Sequence, residues 1–208
     1  MARNFILSPA DHQRISAAVA QAELQSDGEI ATMIARQSDD YHDWALALCA
    51  MGALAVPAII AALPQMAADG LNWLAGGWHA QPGMADWAAA TGTVQLALYV
   101  LAWLALRWRP LRLALTPRRI IAGRVRQRAI AAYRMGLEAR TRAATGILIY
   151  ISLAEHRAEI VADSAINARV ADGDWADAMD QLLANVRARR PADGIIAAVN
   201  VAGNLLAT

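Results

Sequence analysis

Two stretches constrain this chain more than any other feature. Trp44–Leu63 and Trp87–Leu106 each run for twenty residues without a charged side chain. At a helical rise of about 1.5 Å per residue, such a run spans roughly 30 Å, the thickness of a bilayer's hydrocarbon core. The expectation is a transmembrane helical hairpin with spans 44–63 and 87–106. The competing reading makes both runs buried helices of a soluble core. Trp44, Trp87 and Trp108 mark the ends of the runs, where interfacial aromatic belts form, and favour the membrane. Pro57 lies inside the first run, where neighbouring helices and water can satisfy the carbonyl it frees. The second run holds Thr91, Thr93, Gln95 and Tyr99. Gln95 is expected to bond across the helix pair or to a second copy. Apart from the Cys49 thiol, no ionisable group sits at mid-membrane depth, which weighs against a proton relay or an ion transporter.

The net charge of +1 hides a strong asymmetry. All nineteen basic residues are arginine, which with the abundant alanine suggests a GC-rich bacterial genome. Residues 107–142 carry eleven of them against one acid, Glu138. The connection 64–86 carries none; it holds Asp69, Asp86 and His79, and Leu71–Leu74 suits an interfacial position. Arginine-rich flanks stay in the cytoplasm, so residues 107 onward are expected inside and the connection outside. Two spans then return residues 1–43 to the cytoplasm as well. This places both termini on the cytoplasmic side of a bacterial inner membrane. Residues 1–10 offer only three apolar residues in a row, far short of a secretory signal, so entry through the internal helices is expected. The single cysteine, Cys49, excludes an intrachain disulfide and a cysteine-based zinc cage, and reads as a small residue in helix packing.

Outside the hairpin the pattern alternates between helix and strand. Ser8-Pro9-Ala10-Asp11 is a helix start, and Ile15, Ala18, Val19 and Ala22 recur at helical spacing to about Gln25. Ser26-Asp27-Gly28 breaks it. Glu29–Arg36 reads as a strand buried on both faces. Thr116-Pro117 repeats the Ser8-Pro9 pattern and predicts a helix to about Arg140, with Ile121, Val125, Ala129, Ala132 and Gly136 on one apolar face. Gly146–Leu153 is the clearest strand, apolar enough to be central. Glu155-His156 turns it into a second strand, Arg157–Asp163. There Ala158, Ile160 and Ala162 face one way, and Glu159, Val161 and Asp163 the other. A helix follows from Asp172-Gly173-Asp174, with Trp175, Met179, Leu182, Leu183 and Val186 facing a core and Arg187, Arg189 and Arg190 at its end. Pro191 stops it and starts a last helix through Ile195, Val199, Ala202 and Leu206.

Two features invite functional readings. The acidic segment 37–43 reads as a solvated linker with Asp43 capping the next helix, or as a metal or phosphate-chemistry site using Asp39, Asp40 and His42. Arg118, Arg119, Arg124, Arg126, Arg128 and Arg134 surround the apolar face of the helix after the hairpin. They read as solvated charge, as a surface for anionic lipid worth on the order of 1 kcal/mol per arginine, or as a nucleic-acid contact. No nucleic-acid motif is present, and only Tyr133 interleaves the arginines, so nucleic acid is not an expected partner. No Gly-rich phosphate loop, HExxH, GxSxG or CxxC occurs. Ser8, Ser16, Ser26, Ser38, Ser152 and Ser164 show no evident His–Asp partnership in sequence. Of the four histidines, His79 is expected across the membrane from His12, His42 and His156, which weighs against a multi-His metal site. His156 reads as a surface residue at its turn.

The order of these pieces resembles the TPM domain family, in particular a bacterial membrane branch in which Arg36-Gln37-Ser38-Asp39-Asp40-Tyr41 runs into a transmembrane hairpin. The resemblance rests on the first helix with Ser26-Asp27-Gly28-Glu29-Ile30, then Gly146–Ala154, Ala158–Asp163, Trp175 on a helix, and Pro191-Ala192-Asp193-Gly194. It covers residues 8–41 and 129–206. It implies an α/β/α sandwich around a mixed sheet, split by the hairpin into residues 1–43 and 107–208 about spans within 44–106. In parts of the family it also implies calcium binding and a phosphatase activity. Family members with calcium often carry acids before the glycine that opens the central strand. Here that place reads Ala143-Ala144-Thr145-Gly146, so neither a metal site, a cofactor nor a catalytic residue is assigned. The expected function is a non-enzymatic interaction or accessory module at the membrane surface. Its expected partners are the bilayer, anionic lipid through Arg107–Arg134 and an unknown protein. The alternative is a calcium-dependent phosphatase-like hydrolase using Asp39, Asp40 or Asp163.

Overall fold

The computed structural model describes residues 7–24, 28–74, 83–136, 146–167, 172–188 and 190–206. The break at Ser26-Asp27, His79, the helix end towards Arg140 and the run Ala143–Thr145 lie outside them. The chain divides into two compact units, one of residues 1–40 with 118–208 and the other of residues 41–117.

The first unit is a mixed α/β structure around a three-stranded sheet. Its strands are β1 (Glu29–Ala35), β2 (Gly146–Ser152) and β3 (Arg157–Ala162), in the order β1-β2-β3. β1 runs parallel to β2 in the register Glu29↔Gly146 to Ala35↔Ser152, and β2 pairs antiparallel with β3. Strands more than a hundred residues apart thus share one ladder, and it continues where Leu153 and Ala154 donate to the carbonyls of Ala35 and Arg36 at 3.0 Å. Every residue of β2 is buried, as its apolar run predicts. β1 departs from expectation: only Ile30 is buried, because β1 stands at the edge of the sheet among the described residues, and the small Ala31 and Ala35 alternate with Ile30 and Ile34.

Period-two alternation sends β2 to two cores. Ile147, Ile149 and Ile151 join Ile30, Ala158 and the helices α1 (Pro9–Glu23), α8 (Asp172–Arg187) and α9 (Pro191–Leu206). Leu148 and Tyr150 join Val125, Ala129 and Tyr133 of α6 (Arg118–Gly136). The helical stripes read from sequence are those that pack: Ile15, Ala18, Val19 and Ala22 on α1, Leu182 and Val186 with Trp175, Met179 and Leu183 on α8, and Ile195, Val199, Ala202 and Leu206 on α9. α1 starts as predicted. Ser8 caps it, with the Asp11 N–H donating to Ser8 Oγ at 3.1 Å and Asp11 accepting from Ser8 in return. Those bonds from Ser8 hold the Asp11 carboxyl below its ordinary range. A short α7 (Ser164–Asn167) follows β3.

The second unit holds two long apolar helices, α2 (His42–Ala62) and α4 (Met84–Leu106). Both are long and apolar enough to cross a membrane. Only 17% and 6% of their most apolar windows is buried, the reverse of what helices in a soluble core show. Ala45 and Cys49 of α2 pack with Leu106 of α4, and Cys49 fills the small-residue role expected of it. Gln95 donates across the pair to the Ala53 carbonyl at 3.2 Å, as its place in an apolar run requires.

Several helices differ from the sequence reading, and α4 begins at Met84, ahead of the expected Trp87. α2 begins at His42 with Tyr41 as its N-cap at φ 52°, so Asp43 lies in the first turn and is not the cap. The connection 64–86 is helical in its first half, α3 (Pro64–Leu74), which starts at a proline. Thr116 does not cap α6: its hydroxyl donates to the Arg112 carbonyl at 2.8 Å and closes a helix that sequence missed, α5 (Arg109–Leu115). Pro110 near the start of α5 was the available signal.

Candidate functional site

Polar groups converge where β1 and β2 end together. In open α/β sheets the carboxyl ends of parallel strands are the usual place for a site. After β1 the chain turns, and Ser38 reaches the last residues of β2. Ser38 Oγ donates to Ser152 Oγ at 2.9 Å, which leaves the Tyr150 hydroxyl to donate to Ser38 at 3.0 Å. Ser152 in turn donates to Glu155, whose other oxygen accepts from the Ser38 N–H at 3.0 Å. The protons therefore point one way, from Tyr150 through Ser38 and Ser152 to the Glu155 carboxylate. Tyr150 and Ser152 are fully buried. This closed chain satisfies the polar end of β2 and ties the segment before the hairpin to the β2–β3 turn. Ser152 is buried and Ser38 half-buried, and the bonds between them clasp the two segments together. Ser38→Ala should leave this buried chain broken and lower stability by about 1–3 kcal/mol, measurable as a shifted denaturation midpoint.

The acidic residues named from sequence do not form one site. Asp39 makes an ion pair with Arg124 of α6 at 3.3 Å, and Asp40 is exposed beside it. His42 belongs to the hairpin unit, where its Nδ1 meets the Arg112 guanidinium at 3.1 Å; Arg112 is only 5% exposed, so it is not a solvated flank residue. Asp163 lies at the far end of β2. Its carboxylate accepts from the Gly146 N–H and its own N–H donates to the Gly146 carbonyl, both at 3.1 Å. Six strand steps of about 3.3 Å separate that end from Ser152, roughly 20 Å. Asp39 and Asp163 thus belong to opposite ends of the sheet. Among the described residues no three His, Cys, Asp or Glu side chains come together as a metal would need.

The basic helix gives the second candidate. Val125, Ala129 and Tyr133 bury one side of α6, with Ile121 and Ala132 packed beside them. Gly136, expected on that face, is exposed. Arg118, Arg119, Arg126, Arg128 and Arg134 are exposed, while Arg124 is half-buried on Asp39. Ile120, Gly123, Arg124 and Gln127 recur at helical spacing and lie together on an open stretch of the α6 surface. Arg126 and Arg157 also act on Glu159 of β3. Partial burial raises the Glu159 carboxyl above its ordinary range, and these two arginines only partly offset it. A raised folded-state value means that ionised Glu159 costs stability, so this cost appears as pH rises through the raised value. Glu159→Gln should therefore melt higher than the wild type near about pH 7, and the gap should close towards about pH 4.

No family model matches the chain, and no curated protein does. Among solved structures it is similar to the BA42 protein of the psychrophilic bacterium Bizionia argentinensis, determined by NMR. The TM-score is 0.52 and the identity 14%, over 100% of this chain and 85% of that one. A likeness at that identity is one of fold: helices around a small mixed sheet.

Proposed function

We propose that this chain is a two-span protein of the bacterial inner membrane whose discontinuous α/β domain faces the cytoplasm and acts as a non-enzymatic interaction module at the membrane surface. The observation that carries the reading is the placement of charge. Eleven arginines follow the second apolar helix within residues 107–142, and none lies in residues 64–86. The exposed apolar surface of α2 and α4 supports insertion in lipid. The opposed cores on the two faces of β2 support an α/β/α sandwich of the TPM type, split by the hairpin. In this reading α6 begins directly after the hairpin unit, and its exposed arginines attract anionic headgroups.

The test is hydrogen exchange on the full chain reconstituted in vesicles. Amides of α6 should exchange more slowly with phosphatidylglycerol present than with phosphatidylcholine alone. The difference should fade at about 1 M salt, where charges are screened beyond about 3 Å. Equal exchange in both lipids contradicts the membrane-surface role.

A further inference from the structure

α3 carries an exposed apolar face directly after a helix that is already long enough to cross a membrane. α2 has 21 residues, roughly 30 Å at the helical rise, so it matches the hydrocarbon core without help from α3. Leu63 then leaves helical geometry at φ −129° and ψ 59°, and Pro64, which has no N–H for the ladder of α2, opens α3 as a separate helix. The eleven residues of α3 sort by character around its axis. Met66, Gly70 and Trp73 recur at i, i+4 and i+7 and share one face. Gln65, Asp69 and Asn72 do the same one position away, about 100° round the helix. All six are exposed, Met66 by 69% and Trp73 by 80%, while Ala67 and Ala68 on the remaining side are partly covered. An amphipathic helix of a soluble domain turns its apolar stripe to the core. α3 turns it outward. Exposed apolar residues also run along the chain from Ile59 and Leu63, at the end of α2, to Met66 and Trp73. Tryptophan, an apolar ring with a polar N–H, gathers where hydrocarbon meets water.

We infer that α3 lies in the membrane plane at the end of α2, with Met66 and Trp73 sunk at the boundary of headgroups and acyl chains and Gln65, Asp69 and Asn72 in water. The inference rests on the membrane reading of α2 and adds a second, shallow contact to it. The occupant of the apolar face is the interfacial zone of the bilayer, because that face follows a spanning helix without a loop between them and carries an interfacial tryptophan. Residues 64–86 hold no Lys or Arg, so this contact is apolar and independent of headgroup charge, unlike the attraction proposed for α6. It also fixes the depth of α2. Sliding the span outward would lift Met66 and Trp73 into water, and sliding it inward would drag Asp69 into hydrocarbon.

Spin-label scanning of the full chain in phosphatidylcholine vesicles tests this. Cys49, the single cysteine, is first replaced in Cys49→Ala, and an unchanged melting curve checks that the chain still folds. Gln65→Cys, Met66→Cys, Asp69→Cys, Asn72→Cys and Trp73→Cys then carry one label each, at exposed positions where a label displaces no packed side chain. Leu54→Cys, within α2, is the control. Relaxation by dissolved oxygen, which concentrates in hydrocarbon, is compared with relaxation by a water-soluble nickel chelate. The labels at Met66 and Trp73 should read about 5–10 Å inside the boundary, and those at Gln65, Asp69 and Asn72 should read outside it. Raising salt to about 1 M should leave this pattern in place. Five labels equally open to nickel would overturn the inference. Five labels equally deep would overturn it too, by making α3 an extension of the span. In either case a Leu54 label shielded from nickel would still uphold the membrane hairpin, whereas one open to nickel would sink both readings.

Discussion

Leu54→Arg combined with Leu96→Arg should remove the protein from the membrane fraction. Leu54 is 73% exposed near the middle of α2, and Leu96 is 66% exposed near the middle of α4. In water, exposed leucines of this kind tolerate arginine within about 0.5 kcal/mol. At the centre of a bilayer each arginine costs about 3 kcal/mol on insertion scales. Two such costs shift an insertion equilibrium by roughly four orders of magnitude. Alkaline carbonate washing of membranes, followed by an immunoblot, reads the outcome. The wild type should stay in the pellet and the double variant should be lost from it. A double variant that fractionates as the wild type does would contradict the membrane hairpin.

The second large effect joins the two halves of the discontinuous domain. α1 precedes the hairpin and α9 ends the chain, yet they touch closely at Gly203. A Cβ built there lies 2.7 Å from Ala22 Cβ and 3.3 Å from Ala22 Cα. Both atoms are held by helix backbone, so one helix must move. Gly203→Ala should cost about 1–3 kcal/mol, and Gly203→Val more than about 3 kcal/mol, a large share of the 5–15 kcal/mol that holds a typical domain. Denaturant unfolding of the solubilised protein measures both. Ala22→Gly placed on top of Gly203→Ala should recover most of the loss, because it removes the nearer contact. Lack of any recovery would mean that the halves are not packed as described. At Gly123 the same kind of substitution, Gly123→Ala, should cost nothing. Contact with Ala22 separates these glycines in structure, and sequence alone does not.

What could be read from sequence follows the range of the forces involved. β2, α1, α8 and α9 were legible because periodic burial leaves a local pattern, and Leu182, Ile195 and Ile149 lie where that pattern puts them. The charge-free runs were legible for the same reason. The clasp was not, since Ser38 meets Tyr150 and Ser152 across 112 and 114 positions, and no local signal joins them. A hint existed: Tyr150 and Ser152 are polar on one face of an otherwise apolar strand. Asp39, His42 and Asp163 looked alike as isolated acids and bases. Tertiary partners separate them, with Arg124, Arg112 and the Gly146 backbone respectively. Thr116 misled because a hydroxyl between two helices can serve either, and here it turns back to Arg112. β1 misled because edge position depends on which strands pair, and a strand's own residues do not record that.

In the proposed topology the apolar pair is a membrane hairpin with both ends of the chain on the cytoplasmic side. A periplasm-activated phosphatase reporter tests it directly when fused after Thr208 and, in a second construction, inserted near Gly76. The reporter should be inactive at Thr208 and active near Gly76. Activity at Thr208 with silence near Gly76 would place the arginine-rich domain outside and contradict it.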